Sequence, residues 1–147
     1  MSEQPVVFHY TTRKQLEEYL QIGGIACGWF SMNRQWDPCA QGIDEAGKIV
    51  SKDETREWGQ GLVRITVPED LVPYTWPEWK VSGYVDHTRA KRFDVAAAAG
   101  SRREDWRFTK RGVPVSQWLA VAIDVGNGWI PFEGFPPKAA ATTSEPA

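Results

Sequence analysis

Three short stretches of the 147-residue chain hold the side chains able to do chemistry. The first is "FHYTT", Phe8 to Thr12, with His9, one of only two histidines. A histidine at a strand end just before a helix N-terminus sits where side chains reach clefts and main-chain amides receive anions. The opposing reading is a core histidine with both ring nitrogens satisfied, and residue type alone does not separate the two. His87, among residues of helix-capping type, reads as a surface group.

The second stretch is "GWFSMNRQWDPCA", Gly28 to Ala40. Trp29, Phe30 and Ser31 alternate along a strand, and packing accounts for two of them. Trp36 is harder to place in a core, because an exposed loop tryptophan can stack on a ligand ring or close a pocket. The third is "SRREDWRFTKR", where Glu104 and Asp105 stand ahead of a strand between Arg102, Arg103 and Arg107. Such a loop either neutralises its own charges or sets a carboxylate at the mouth of a cleft, where it can stabilise positive charge or take a proton. Between Arg89 and Arg111 there are eight basic and three acidic residues, against a net charge of -2 for the whole chain. That run reads as a solvated face or as a pocket for a phosphate-bearing ligand.

These stretches hang on a readable order of elements. "PVVFHY" is a strand. "TTRKQLEEYLQIGG" is a helix capped by Thr11 or Thr12 and ended by Gly23-Gly24, with Leu16, Tyr19 and Leu20 on one face. "IACGWFSMN" and "LVRITVP" are strands, separated by a long polar loop with room for a short helical turn or hairpin. "EDLVPYTWPEWKVSGYV", punctuated by Pro73 and Pro77, is irregular. "DHTRAKRFDVAAAAG" is a helix with Asp86 as cap and Gly100 as terminator. "DWRFTKR", "QWLAVAIDV" and "GWIPFEG" are strands, with a turn at Gly126-Asn127-Gly128. The reading is a small single α+β domain over residues 1–135, with two main helices and antiparallel strands, followed by a disordered tail at 136–147.

Composition bounds the partners. The net charge of -2 argues against a dedicated nucleic-acid binder. No apolar run is long enough for a membrane span. Two cysteines and no basic-then-apolar N-terminus predict a reduced, cytoplasmic protein. Neither Cys27 nor Cys39 belongs to a metal pattern, so no metal is expected. No dinucleotide or P-loop glycine motif and no Ser–His–Asp or Cys–His motif is present. Eight tryptophans imply a core, or a cleft, built on large rings.

Taken in order, "FHYTT", "QLEEYLQIGGI", "GWFSMN" and "REDWRFTKRGVPVSQWLAVAI" resemble the ADP-ribosyltransferase superfamily, in particular its DNA-modifying branch. They also resemble small uncharacterised proteins with a "WFS" stretch. The resemblance runs over roughly residues 5–132 and implies an antiparallel split sheet and NAD as substrate. It implies transfer of ADP-ribose to a macromolecular acceptor, protein or nucleic acid. His9 would hydrogen-bond the adenosine-side ribose. Trp29 would stand where the family has a nicotinamide-stacking tyrosine, with Ser31 nearby. Tyr10, Thr11, Arg13, Phe30 and Trp36 complete the implied cofactor-binding set. Glu104 or Asp105 would be the catalytic carboxylate. Departures from the pattern are Trp29 in place of tyrosine, a short segment between Gly24 and Trp29, and no Glu-x-Glu or Gln-x-Glu pair. Two other readings stand beside it: a non-catalytic module binding a protein partner through a tryptophan-rich cleft, and RNA 2'-phosphotransferase-like chemistry, which wants more basic residues at the site.

Overall fold

The strand β1 (Val6–Thr12) lies in the middle of an antiparallel sheet and carries both halves of the core. Side chains alternate across a strand. Val7, His9 and Thr11 therefore face one way, and Phe8, Tyr10 and Thr12 the other. The computed structural model describes residues 5–26, 28–83 and 86–135. The tail at 136–147, Cys27 and the His87 side chain lie outside the described residues.

Thr12 ends β1 and caps α1 (Arg13–Ile22), its hydroxyl accepting from the Gln15 amide, and Gly23 closes that helix at φ 96°, where a side chain would be strained. The expected second strand is two: β2 (Gly24–Ile25) and β3 (Gly28–Ser31). The polar stretch that follows holds a short 3-10 turn at Pro38–Ala40, a bridge between Ile43 and Ile49, and α2 (Lys52–Gly59). β4 (Leu62–Pro68) forms as expected. The stretch expected to be irregular contains β5 (Tyr74–Thr75) and α3 (Trp76–Lys80). Then come α4 (His87–Ala98), β6 (Trp106–Thr109), β7 (Val113–Pro114), β8 (Ala120–Asp124) and β9 (Ile130–Pro131).

The main sheet runs β5-β6-β3-β1-β4-β8-β9, and β2 pairs with β7 beside it. β1 and β4 are in register over their full length, from Val6 opposite Pro68 to Thr12 opposite Leu62. β1 and β3 meet at a single registered pair, Phe8 opposite Ser31. The domain is thus a small α+β fold on a seven-stranded antiparallel sheet.

One face of the sheet is aliphatic. Val7, Phe30, Val63, Ile65, Val67, Val121 and Ile123 lie beneath Leu16 of α1, with Ile25 and Val113 alongside. The other is aromatic. Phe8, Tyr10, Trp29, Trp106 and Phe108 pack against Trp76 and Trp79 of α3, Phe93 of α4 and the loop residue Trp36. Among the described residues no helix is long and apolar enough to cross a membrane.

Candidate functional site

His9 lies where β1 and β3 part. Its Nδ1 donates to the Trp29 carbonyl at 2.7 Å, and Trp29 is not in register with any residue of β1. Its Nε2 then accepts from the Tyr19 hydroxyl at 3.0 Å. The bond at Nδ1 fixes the tautomer, because a carbonyl requires a proton there. Burial lowers the imidazole pKa to about 4, the bond to the Trp29 carbonyl only partly opposing it, so the ring is neutral at pH 7. The Thr11 side chain lies within reach of the same tyrosine hydroxyl, whose own pKa is raised by burial. His9 and Phe30 belong to the aliphatic face, their ring centroids 5.3 Å apart, whereas Trp29 belongs to the aromatic face.

Ser31, fully buried, donates to Asp37 Oδ2 at 2.7 Å. Asp37 is itself buried, and its Oδ1 accepts from the Ser101 hydroxyl at 2.6 Å and from the Cys39 amide at 3.0 Å. Ser101 in turn accepts from the Trp106 indole at 2.7 Å. This chain of bonds ties the loop after β3 to the segment before β6. A buried carboxylate is tolerable here because three donors replace its water. Cys39 Sγ lies 3.4 Å from Ser101 Oγ, and burial beside Asp37 pushes its thiol pKa well up.

Trp36 is buried, and of the two readings open from sequence its place is the packed one. Its ring meets Tyr10 edge-on at 5.3 Å and its indole donates to Gln41 Oε1 at 2.9 Å. Tyr10 donates to the Asn33 carbonyl, and burial raises its pKa. Trp29 differs from these rings. Its indole nitrogen is buried with no hydrogen-bond partner among the described residues, and the ring lines a cavity of about 220 Å³ with Cys39, Arg92 and Phe93.

The carboxylates stand elsewhere. Glu104 and Asp105 occupy a 3-10 turn (Arg103–Asp105) ahead of β6, so strand alternation does not govern them. Glu104 is 69% exposed at its side chain and faces Arg102 at 3.7 Å. Asp105 is held by its carbonyl, which accepts from the Met32 amide at 2.9 Å. No hydrogen bond or ion pair among the described residues joins either acid to His9 or Trp29. Arg13 pairs loosely with Glu17 at 3.8 Å, and its amide is taken by the Gly61 carbonyl at 3.0 Å, so this helix start does not offer that donor to an anion. Part of the basic run is engaged: Arg103 with Asp94 at 3.0 Å, Arg107 with Glu69 at 4.0 Å, and Lys110 over the Tyr74 ring at 4.8 Å. Among the described residues no group of three His, Cys, Asp or Glu side chains is placed to hold a metal ion.

The fold therefore gathers His9, Thr11, Trp29 and Phe30 around the split, and Ser31 with Trp106 around Asp37. Sequence reasoning missed Tyr19 as the partner of His9, and missed Asp37 and Ser101 altogether. The Asp37-Pro38 pair was a usable signal for Asp37, since aspartate ahead of proline is a capping signature, and Asp37 caps the 3-10 turn here. No family model, no curated protein and no solved structure matches the chain.

Proposed function

We propose that the chain is an NAD-binding domain of the ADP-ribosyltransferase kind, which takes the dinucleotide at the split between β1 and β3. The observation that carries this is His9, set in that split with a hydroxyl 3.0 Å from Nε2. A ribose hydroxyl is the same chemical partner as the tyrosine hydroxyl now there. Tyr19 is only partly buried, and its movement would admit the sugar without leaving the imidazole unpaired. The neutral ring suits this role, because its fixed tautomer presents an acceptor and not a charge. Trp29 on the neighbouring strand belongs to the other face, but its ring stands edge-on 6.2 Å from His9 across the split, and it would be the flat wall for nicotinamide. Breaking the nicotinamide–ribose bond builds oxocarbenium charge on the sugar, which a carboxylate stabilises. Glu104 is the candidate acid, being exposed and held at its side chain by a single loose ion pair. The acceptor would be a protein or nucleic acid.

One observation favours a second reading, a non-catalytic module that binds a protein partner. Neither carboxylate is bonded to the split, and both nitrogens of His9 are already satisfied. Incubation with labelled NAD and cell lysate, alongside calorimetric titration with NAD, separates the two. Saturable binding with nicotinamide release and label transfer supports the transferase. Binding without turnover supports the module. If NAD does not bind at all, the NAD reading falls.

A further inference from the structure

The cavity beside Trp29 combines three features. Two of its walls are rings, Trp29 and Phe93. Phe93 is fixed by rings of the aromatic face, lying 5.2 Å from Trp76, 5.0 Å from Trp106 and 5.4 Å from Phe108. Trp29 is fixed by packing alone, since its buried indole N–H has no acceptor among the described residues. Buried donors without partners are rare and unfavourable; this one has almost no area open to solvent, so an acceptor on a ligand meets it only when the ring turns. A ring that gives up no hydrogen bond when it shifts is also the wall best able to adjust.

The third feature is charge. Arg92 lines the same cavity, is exposed, and makes no ion pair or hydrogen bond among the described residues, while Arg102, Arg103 and Arg107 of the same run are all paired. The acid behind the cavity, Asp37, is saturated by Ser31, Ser101 and the Cys39 amide and does not compete for Arg92. Cys39 itself stays a neutral thiol and behaves as a small apolar surface. The space, about 220 Å³, takes one ring and one substituent; an apolar cavity of roughly 150 Å³ already holds benzene.

We infer that this cavity is a binding site for a small planar aromatic carboxylate, its ring between Trp29 and Phe93 and its carboxylate on Arg92. Trp29 is shared with the NAD reading, but the inference rests on the cavity, the free cation and the orphaned indole and survives the loss of that reading. Benzoate, with benzamide as its neutral isostere, is the probe. Titration followed by amide and indole resonances of the full chain should show saturable shifts of the Trp29 indole N–H. Benzoate should bind about tenfold more tightly than benzamide, as one charge-assisted bond at a partly exposed site provides. Arg92→Gln, at an exposed helical position, should keep the fold and remove that preference. The inference is overturned if neither probe gives a saturable shift, if the shifts map away from these four residues, or if Arg92→Gln retains the preference for benzoate. Benzoate binding in a protein that ignores NAD would uphold this site and sink the NAD reading.

Discussion

The two faces of the sheet reach the same burial by different chemistry. The aliphatic face is mostly Val, Ile and Leu, with Phe30 and Trp118 as its rings, His9 as a polar member and the Trp118 indole bonded to the Val113 carbonyl; its helix α1 adds Leu16 and Tyr19. The aromatic face is built of large rings and carries polar handles inside it: Trp106 to Ser101, Ser101 to Asp37, Ser31 to Asp37. An aliphatic layer is held by area and shape and forgives small losses. A layer of rings with hydrogen-bonding edges is held by area and by specific partners, so a truncation there loses both. The aromatic face also holds the loop after β3, which has little regular structure of its own.

The largest break in this comparison comes at Trp106. It is fully buried, meets Trp76 at 5.1 Å in an edge-to-face contact and satisfies Ser101. Trp106→Ala should cost about 4 kcal/mol, against about 3 kcal/mol for Ile65→Ala on the aliphatic face. Urea unfolding of the two variants measures the gap. Equal losses would mean that the two faces are held alike.

His9 gives the next effect and tests the aliphatic face by pH. Its folded pKa, about 4, lies below the ordinary histidine value of 6.5 that applies to the unfolded chain. The unfolded state therefore takes up the proton first as pH falls. The stability this group contributes is complete above pH 6.5 and declines toward pH 4, by about 3 kcal/mol in total. Carboxylates also titrate near the lower limit, so the comparison is with His9→Gln, which cannot titrate. Wild-type stability should fall more steeply than the variant's between pH 6.5 and pH 4.5. Parallel curves would show that the ring is solvated and not buried.

Asp37 probes the aromatic face in the same way. Asp37→Asn keeps the shape but turns one acceptor into a donor facing the Ser31 or Ser101 hydroxyl. A mismatch of that kind costs about 2 kcal/mol. The loss should be accompanied by faster amide exchange in the loop after β3, since this carboxylate ties that loop down. Thermal unfolding within a few tenths of a kcal/mol of wild type would mean that the hydroxyls turn to suit the amide and that the loop is held by packing alone.

The same contrast governs what could be read from the chain. β1, α1 and β4 were legible because alternation, a threonine cap and a glycine stop are local signals. The break between β2 and β3 was not. Gly24–Ile25 pairs with Val113–Pro114, a partner almost ninety residues away. α2 has no apolar stripe, burying only Thr55 and Gly59, and its signals are the Ser51 cap and the acids Asp53 and Glu54 in its first turn. Gly59 is required where that helix crosses β1, since a Cβ there would lie 2.2 Å from Thr12 Cβ. Trp36 was hard to place in a core because the residues that cover it, Tyr10 and Gln41, are brought to it only by the fold. His9 was legible as a site or a core residue but not as which, because Tyr19 reaches it across a helix and strand packing that no local pattern encodes.

The smallest expected effect on stability is at the candidate carboxylates, and that smallness makes it useful. Glu104 is exposed, its ion pair with Arg102 spans 3.7 Å, and both partners are more than two-thirds in solvent. Exposed pairs of this kind contribute about 0–1 kcal/mol. Glu104→Gln should therefore leave unfolding within about 0.5 kcal/mol of wild type. Asp105→Asn should be similarly quiet, because its structural tie is the main-chain carbonyl and not the side chain. Any loss of NAD cleavage in these variants then reports lost electrostatic stabilisation of the transition state and not a loosened fold. If cleavage is present in wild type and Glu104→Gln abolishes it at unchanged stability while Asp105→Asn does not, Glu104 is the acid that moves to the split. If both variants cleave like wild type, neither acid serves, and the carboxylate assignment fails while His9 and Trp29 remain testable on their own. A drop in stability of several kcal/mol for either variant would place that side chain inside the aromatic face, against its exposure here, and would remove it as a candidate for chemistry.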